Sequence, residues 1–384
     1  MAVPLLDVNA QNLALEGELK EAFERVLRSG QFIMGPDIAA FESEAAKFAG
    51  VKHAIGVSSG TDAILLALMA LGIGAGDEVL CPSYTFFATA GCIARAGALP
   101  VFVDADPVTF NIDIEDAARK VTARTKAIVP VHLFGQCAEM DGVMSLARSR
   151  NLHVIEDAAQ SLGASYKGRS AGSIGTFGTY SFFPSKNLGG LGDGGMLVSN
   201  DDALAEKARL LRTHGSKPKY YHKMIGGNFR LDSIQAAFLR VKLPHYNGYT
   251  EKRRANAQYY TEKLSKLPGV VFASDYSNQS SAGAKIVLPV SKLECGHIWN
   301  QFTLRIPGRG RRDELRRQLT EKGIGTEIYY PIPMHLQECF AYCKAQESCP
   351  NAALLANEAL SIPIYPELTF PQLEEVVGAI RNFA

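Results

Sequence analysis

Hydrophobic and polar positions follow two rhythms along the first two thirds of the chain. Short β-rich runs fall at 54–57, 78–81, 99–103, 127–131, 153–156 and 179–183, and between them 61–71, 88–96 and 141–150 carry apolar residues at helical intervals. Strands alternating with helices predict an α/β fold: a mostly parallel central sheet flanked by helices. In such sheets ligands gather beyond the carboxyl ends of the strands, so the residues following each strand are the candidates for chemistry. The pattern changes after 243–245. A charged helical segment, 251–264, leads toward a polar stretch around 277–281, followed by a strand at 298–306, a helix at 312–322 and a terminal helix at 371–383. This predicts a large domain over 1–245, opened by a helical segment, and a smaller C-terminal α+β domain over 246–384.

A chain of 384 residues, 47% hydrophobic, can bury a core of that size. Its net charge of +1 offers no uniform basic field for nucleic acid or an anionic membrane surface. The start of the chain lacks a secretory pattern and the longest apolar run, 63–73, is too short to span a bilayer, so a cytoplasmic protein is expected. Seven cysteines without a CxxC pair read as reduced thiols. His335, Cys339, Cys343 and Cys349 fall close together, but structural zinc uses tighter cysteine pairs on turns, and no metal is expected. Gly72, Gly74 and Gly76 follow a helix and precede a strand, the reverse of a dinucleotide-binding turn. The basic cluster Arg309, Arg311, Arg312, Arg316 and Arg317, interrupted by Asp313 and Glu314, reads as a solvated helix face.

Chemistry concentrates in SFFPSKNLGGLGDGG, where Lys186 stands between apolar residues and glycines after a strand. A lysine amine becomes a nucleophile when its charge is suppressed by desolvation or a nearby cation, or when it is held as an imine; the competing reading is a solvated loop lysine. Ser58, Ser59, Gly60 and Thr61 open a helix directly after a strand, which makes either a phosphate cradle or a plain cap with Ser59 as the capping residue. Asp157 ends another strand and is followed by Ala158, Ala159 and Gln160; its carboxylate suits a protonated pyridine nitrogen or a helix cap. Tyr84, Thr85 and Phe86 offer an aromatic face for a flat cofactor, or core packing.

With Gly60-Thr61-Asp62-Ala63, Pro82 to Phe86, Phe102-Val103-Asp104, Glu156 to Gln160, Ser181 to Gly195, Gly227 to Arg230 and Tyr330 to Gln337 in order, nearly the whole chain resembles the nucleotide-sugar aminotransferases of the DegT/DnrJ/StrS type. These are a branch of the fold-type I pyridoxal-phosphate enzymes. The resemblance implies pyridoxal 5'-phosphate bound to Lys186 as a Schiff base, with pyridoxamine 5'-phosphate as the form that carries the nitrogen. It further implies Asp157 on the pyridine nitrogen, Gln160 on the ring hydroxyl, Phe86 stacked on the ring, and Ser59, Gly60, Thr61 and Ser181 around the phosphate. Asn228 is expected to reach that phosphate from the neighbouring subunit of a homodimer. Tyr330 and His335 sit where relatives line the sugar-nucleotide pocket; a proline-shaped turn packed on the small domain accounts for them equally well. L-glutamate is the implied amino donor and a keto carbon of a nucleotide-linked sugar the acceptor, C3 favoured over C4, for amino-sugar and polysaccharide biosynthesis. Lys186 argues against the dehydratase branch, where histidine replaces it. The rival from another class is a pyridoxal-phosphate-binding regulatory protein without turnover.

Overall fold

A seven-stranded sheet forms the centre of the molecule, in the spatial order β1-β9-β8-β5-β4-β2-β3. Its strands are β1 (His53–Val57), β2 (Glu78–Pro82), β3 (Leu99–Val103), β4 (Thr125–Ile128), β5 (His153–Asp157), β8 (Phe177–Ser181) and β9 (Gly195–Ser199); the short β6 (Ser165–Tyr166) and β7 (Arg169–Ser170) pair apart from it. The computed structural model describes residues 2–276, 283–343 and 349–384; the polar stretch at 277–281 lies outside the described residues. Every pairing from β8 to β3 is parallel, and β9 alone runs against both its neighbours. The sheet is therefore mostly parallel, as the alternation of strands and helices predicts.

Side-chain alternation sends successive residues of each strand into opposite cores. Ile55, Val79, Cys81, Ile155 and Leu197 enter one hydrophobic cluster; Ala54, Leu80, Val154, Met196 and Val198 enter the other. Both faces are covered, which is why these strands read as continuous apolar runs. The covering helices are α1 (Val8–Ala14), α2 (Glu16–Ser29), α3 (Pro36–Ala49), α4 (Gly60–Leu71), α5 (Phe87–Arg95), α6 (Ile114–Arg119), α7 (Met140–Arg150), α8 (Asp202–Arg212) and α9 (Ser233–Lys242).

The long α10 (Tyr246–Leu264) leads to a second sheet, ordered β10-β11-β13-β14, formed by β10 (Val270–Phe272), β11 (Ile286–Leu288), β13 (Phe302–Arg305) and β14 (Ala359–Ile362). The small strand β12 (Cys295–Gly296) instead joins β6 and β7. The second sheet shares a core with α10, α11 (Arg311–Glu321) and α13 (Phe370–Arg381), while α12 (Pro350–Glu358) leads into β14. Val3 belongs to this core and forms an isolated bridge with Ile324, so the first residues of the chain pack with the second sheet's core.

Several element ends differ from the sequence reading for local reasons. β4 stops at Ile128 rather than 131, since Pro130 has no N–H to continue a ladder. The strand expected at 298–306 is confined to Phe302–Arg305, because Trp299 takes a left-handed conformation with φ 51°. The strand expected at 179–183 is Phe177–Ser181, and β9 emerges from the glycine run, where composition disguised it. Arg312 is a correction to the solvated helix face: it is buried, and its guanidinium bonds the Ala356 carbonyl at 3.0 Å. Replacing the fully buried Phe177 by alanine is expected to cost about 3–5 kcal/mol, read as a lowered midpoint in denaturant unfolding.

Candidate active site

The carboxyl end of β5 is the best-determined part of the site. Glu156 and Asp157 point to opposite faces of the sheet, as neighbours on a strand must. Glu156 is fully buried, and its carboxylate accepts from the N–H groups of Gly172 (2.9 Å), Ile174 (2.6 Å) and Gly175 (2.6 Å). His132 completes the set, with Nε2 2.8 Å from Glu156. Since His132 Nδ1 accepts from the Ala138 N–H at 3.1 Å, the ring proton lies on Nε2 and is donated to Glu156. The Asp157 backbone is pinned on both sides, donating to the Pro130 carbonyl and accepting from the His132 N–H, each at 2.9 Å.

On the other face, the Asp157 carboxylate accepts from the Thr89 hydroxyl at 2.7 Å and from the Ala159 N–H at 3.2 Å. Two fixed donors leave it one orientation. Gln160 is held similarly. Its Oε1 accepts from the Phe134 N–H at 2.6 Å and its Nε2 donates to the Tyr330 hydroxyl at 3.2 Å, which fixes the amide orientation and leaves the second Nε2 proton to donate to a ligand. Phe134 directs that N–H from a left-handed conformation, φ 59°. Phe86, half exposed, lies 6.1 Å from the Tyr330 ring. Tyr84 turns inward instead, its hydroxyl bonding the Tyr329 carbonyl, so of the two readings core packing holds for Tyr84 and the open face for Phe86.

Three chain segments meet at the start of α4. Ser59 caps the helix, accepting from the Asp62 N–H at 3.0 Å, while its own hydroxyl proton stays available. The first N–H groups of the helix, on Gly60 and Thr61, have no intrahelical partner and stand at the positive end of the dipole. A Cβ on Gly60 would lie 2.8 Å from that of Ser181, and one on Gly195 would lie 2.3 Å from the Ser59 carbonyl carbon. Only glycine lets these segments close around a small anionic group.

Lys186 belongs to the turn leaving β8, its N–H bonded to the Phe183 carbonyl at 2.8 Å. Solvent still reaches part of its side chain, yet enough protein surrounds the amine that desolvation lowers its pKa to about 8, against an opposing pull from the Asp157 charge. His335 contacts Ser83, Nδ1 to Oγ 2.5 Å, and burial lowers its pKa. Asn228 is exposed on a segment bridged to Thr213, and the next residue, Phe229, accepts from the Ser58 N–H at 3.1 Å. Thr89, Phe134 and the Glu156–His132 pair are additions to the residues singled out from sequence. Glu156 stood there only as the start of the motif ending at Gln160, and Thr89 lay unmarked inside the apolar helix FATAGCIAR. Among the described residues, no three of His, Cys, Asp or Glu are grouped to hold a metal ion, and no helix is long and apolar enough to cross a membrane.

The site's contents fit a flat, phosphorylated aldehyde: an amine of depressed basicity, an oriented carboxylate, an amide donor, an open aromatic face and a helix start with free N–H groups. Residues 14–381 match the DegT/DnrJ/EryC1/StrS aminotransferase family. The chain is 48% identical over its full length to a pleiotropic regulatory protein of Geobacillus stearothermophilus, covering 99% of it. It is 43% identical to the UDP-N-acetyl-3-dehydro-alpha-D-glucosamine 3-aminotransferase of Acidithiobacillus ferrooxidans, over 99% of this chain and 98% of that one. Among solved structures it resembles S. venezuelae DesV in complex with a ketimine intermediate, at 41% identity and a TM-score of 0.92, covering 100% and 98% of the two chains.

Because folding disfavours the charged form of Lys186, the cost to the apoprotein is complete below about pH 8 and fades as pH rises toward the ordinary lysine value of 10.5. Lys186→Met is therefore expected to raise the apoprotein Tm more at pH 7 than at pH 10. Amine-reactive labelling of Lys186, read by peptide mass, should show a midpoint near pH 8; a midpoint in the ordinary lysine range would contradict the depressed value.

Proposed function

This chain belongs to the DegT/DnrJ/EryC1/StrS aminotransferase family, and we propose that it moves the amino group of L-glutamate to C3 of a UDP- or dTDP-linked 3-keto sugar. It is a pyridoxal-phosphate-dependent aminotransferase. The observation that carries the assignment of roles is that a Lys186 amine made less basic by burial shares the site with the Asp157 carboxylate, oriented by Thr89. The C3 preference is supported by the Acidithiobacillus relative, a 3-aminotransferase by name.

In this reading Ser59, Gly60, Thr61 and Ser181 hold the cofactor phosphate, Asp157 keeps the pyridine nitrogen protonated, Gln160 donates to the ring hydroxyl, and Phe86 covers a ring face. When bound, pyridoxal phosphate supplies the electron sink for the pair released at the donor's α-carbon and carries the nitrogen between the two half-reactions. Lys186 would be the residue that holds the cofactor between turnovers, and its free amine would serve as the base that takes the donor's α-proton. Burial, which disfavours the charged form of this amine, supports that role. In the second half-reaction the same amine moves a proton in the opposite sense, delivering it to the sugar carbon that receives the nitrogen. Tyr330 and His335 line the sugar-nucleotide side.

The exposed Asn228 supports a homodimer in which it completes the partner's phosphate site. The exposed apolar side chains of Phe23, Leu27, Phe32, Ile33 and Met34 supply a surface for such a contact. The division at 245/246 into a cofactor-binding and a smaller domain follows the two sheets. Seven free cysteines suit a reducing, cytoplasmic setting, and the product suits polysaccharide assembly.

With glutamate as donor, a panel of keto-sugar nucleotides read by product mass should show amination of a 3-keto sugar; amination of 4-keto sugars alone would replace C3 by C4. No amination with any donor, and no change in the cofactor absorbance, would favour the regulatory alternative. Lys186→Ala should retain cofactor without a borohydride-reducible bond to protein and lose at least about a hundredfold in kcat. Mixing Lys186→Ala and Asn228→Ala proteins under conditions of subunit exchange should restore part of the activity, and failure of every exchanged mixture would count against a shared site.

A further inference from the structure

Lys242 is a buried lysine with no ion-pair partner among the described residues and no part in the chemistry above. It ends α9 at 1% exposure, and its ammonium has a single recorded acceptor, the Gly189 carbonyl at 2.8 Å. Burying a lysine in this way is unfavourable, and desolvation lowers its pKa to about 8. A hydrophobic residue would fill the same space more cheaply, so the bond to Gly189 is the feature to explain.

Gly189 lies three residues after Lys186, in the segment that leaves the sheet at Phe182 and returns at Gly194, closed by the Phe182 N–H on the Gly194 carbonyl at 2.8 Å. Little of this segment is regular structure, and it packs closely on itself: a Cβ on Gly189 would lie 2.3 Å from the Pro184 carbonyl oxygen. Two turns earlier on the same face of α9, Gln235 accepts from the Leu191 N–H at 2.9 Å, with its amide lying over Gly190 and Gly192. A third tie comes from Asn300, whose amide donates to Asn187 Oδ1 at 2.9 Å. Asn187, Gly189 and Leu191, alternate residues immediately after Lys186, are thus each held by a side chain from outside the loop.

We infer that Gln235 and Lys242 are positioning residues, through which α9 holds the 182–194 loop and sets where the Lys186 amine stands. This rests on the reading of Lys186 as the residue that binds the cofactor and moves the proton. The helix itself is anchored from its other side, where Arg240 pairs with Asp37 (2.6 Å) and Glu44 (2.9 Å) on α3. The loop lacks a ladder of its own and is held directly by the face of α9 opposite Arg240.

The test uses holoenzyme variants Gln235→Leu, Lys242→Met, the double variant and Arg240→Gln, which loosens the same helix on its far side. With cofactor content matched, the two single variants should lower kcat about tenfold to a hundredfold with the KM for glutamate unchanged, as misplacement of a reacting group does. The double variant should be no slower than the worse single one, because both act through one loop. Gln235→Glu, which keeps the acceptor for the Leu191 N–H, should restore kcat, and Arg240→Gln should lower Tm but leave kcat intact. Losses in kcat no larger than that of Arg240→Gln, or losses that multiply in the double variant, would overturn the inference. Gln235 is only partly buried, so its variants decide the matter even if Lys242→Met does not accumulate. A wild-type enzyme that never transfers an amine from glutamate would defeat the functional reading instead, which separates the two failures.

Discussion

The site depends on one buried carboxylate. Glu156 has no access to water, and an ionised carboxylate in that setting must be surrounded by donors or it destabilises the fold. Its donors come from His132, after β4, and from the 172–175 turn that leads into β8. The interaction therefore joins the three parallel strands whose carboxyl ends carry the chemistry. Asp157 is the next residue, and the alternation of the strand turns it to the opposite face. Loss of the Glu156 cluster would release the β4–β5 connection and the approach to Lys186 together.

Around that fixed point, ligand recognition is prepared by saturating one side of each polar group. Asp157 is occupied by Thr89 and Ala159, and Gln160 by Phe134 and Tyr330. The direction in which each faces a cofactor is thereby fixed before it binds. Such preorganisation places its cost in folding rather than in the reaction step. Lys186 follows the opposite logic. Its environment withholds stabilisation from the charged amine, leaving a group whose favourable state is to be neutral or covalently bound.

Much of this was legible in the chain. Strand-helix alternation predicts the parallel sheet because strands covered on both faces must be apolar throughout, and Lys186, Asp157 and Gln160 follow strands, where parallel sheets place ligands. The antiparallel β9 was hidden, since glycines before it mask a strand of only five residues. Thr89 and Phe134 were hidden for another reason: their partners lie 68 and 26 residues away, and one of them acts through its backbone N–H, whose direction composition does not record. Arg312 was misread because its charge suggested solvent, while its acceptors are the carbonyls at the end of α12.

The sequence by itself determined the fold class, the order of the elements and the chemical kind of the site, because periodicity and motif are local properties carried by neighbouring residues. The tertiary structure alone decided the rest: which way Gln160 presents its amide, that Tyr84 is core while Phe86 is open, that the Lys186 amine is depressed, and that α9 grips the loop behind it. Each of these depends on burial and on hydrogen bonds between distant segments, and neither exists until the chain has folded.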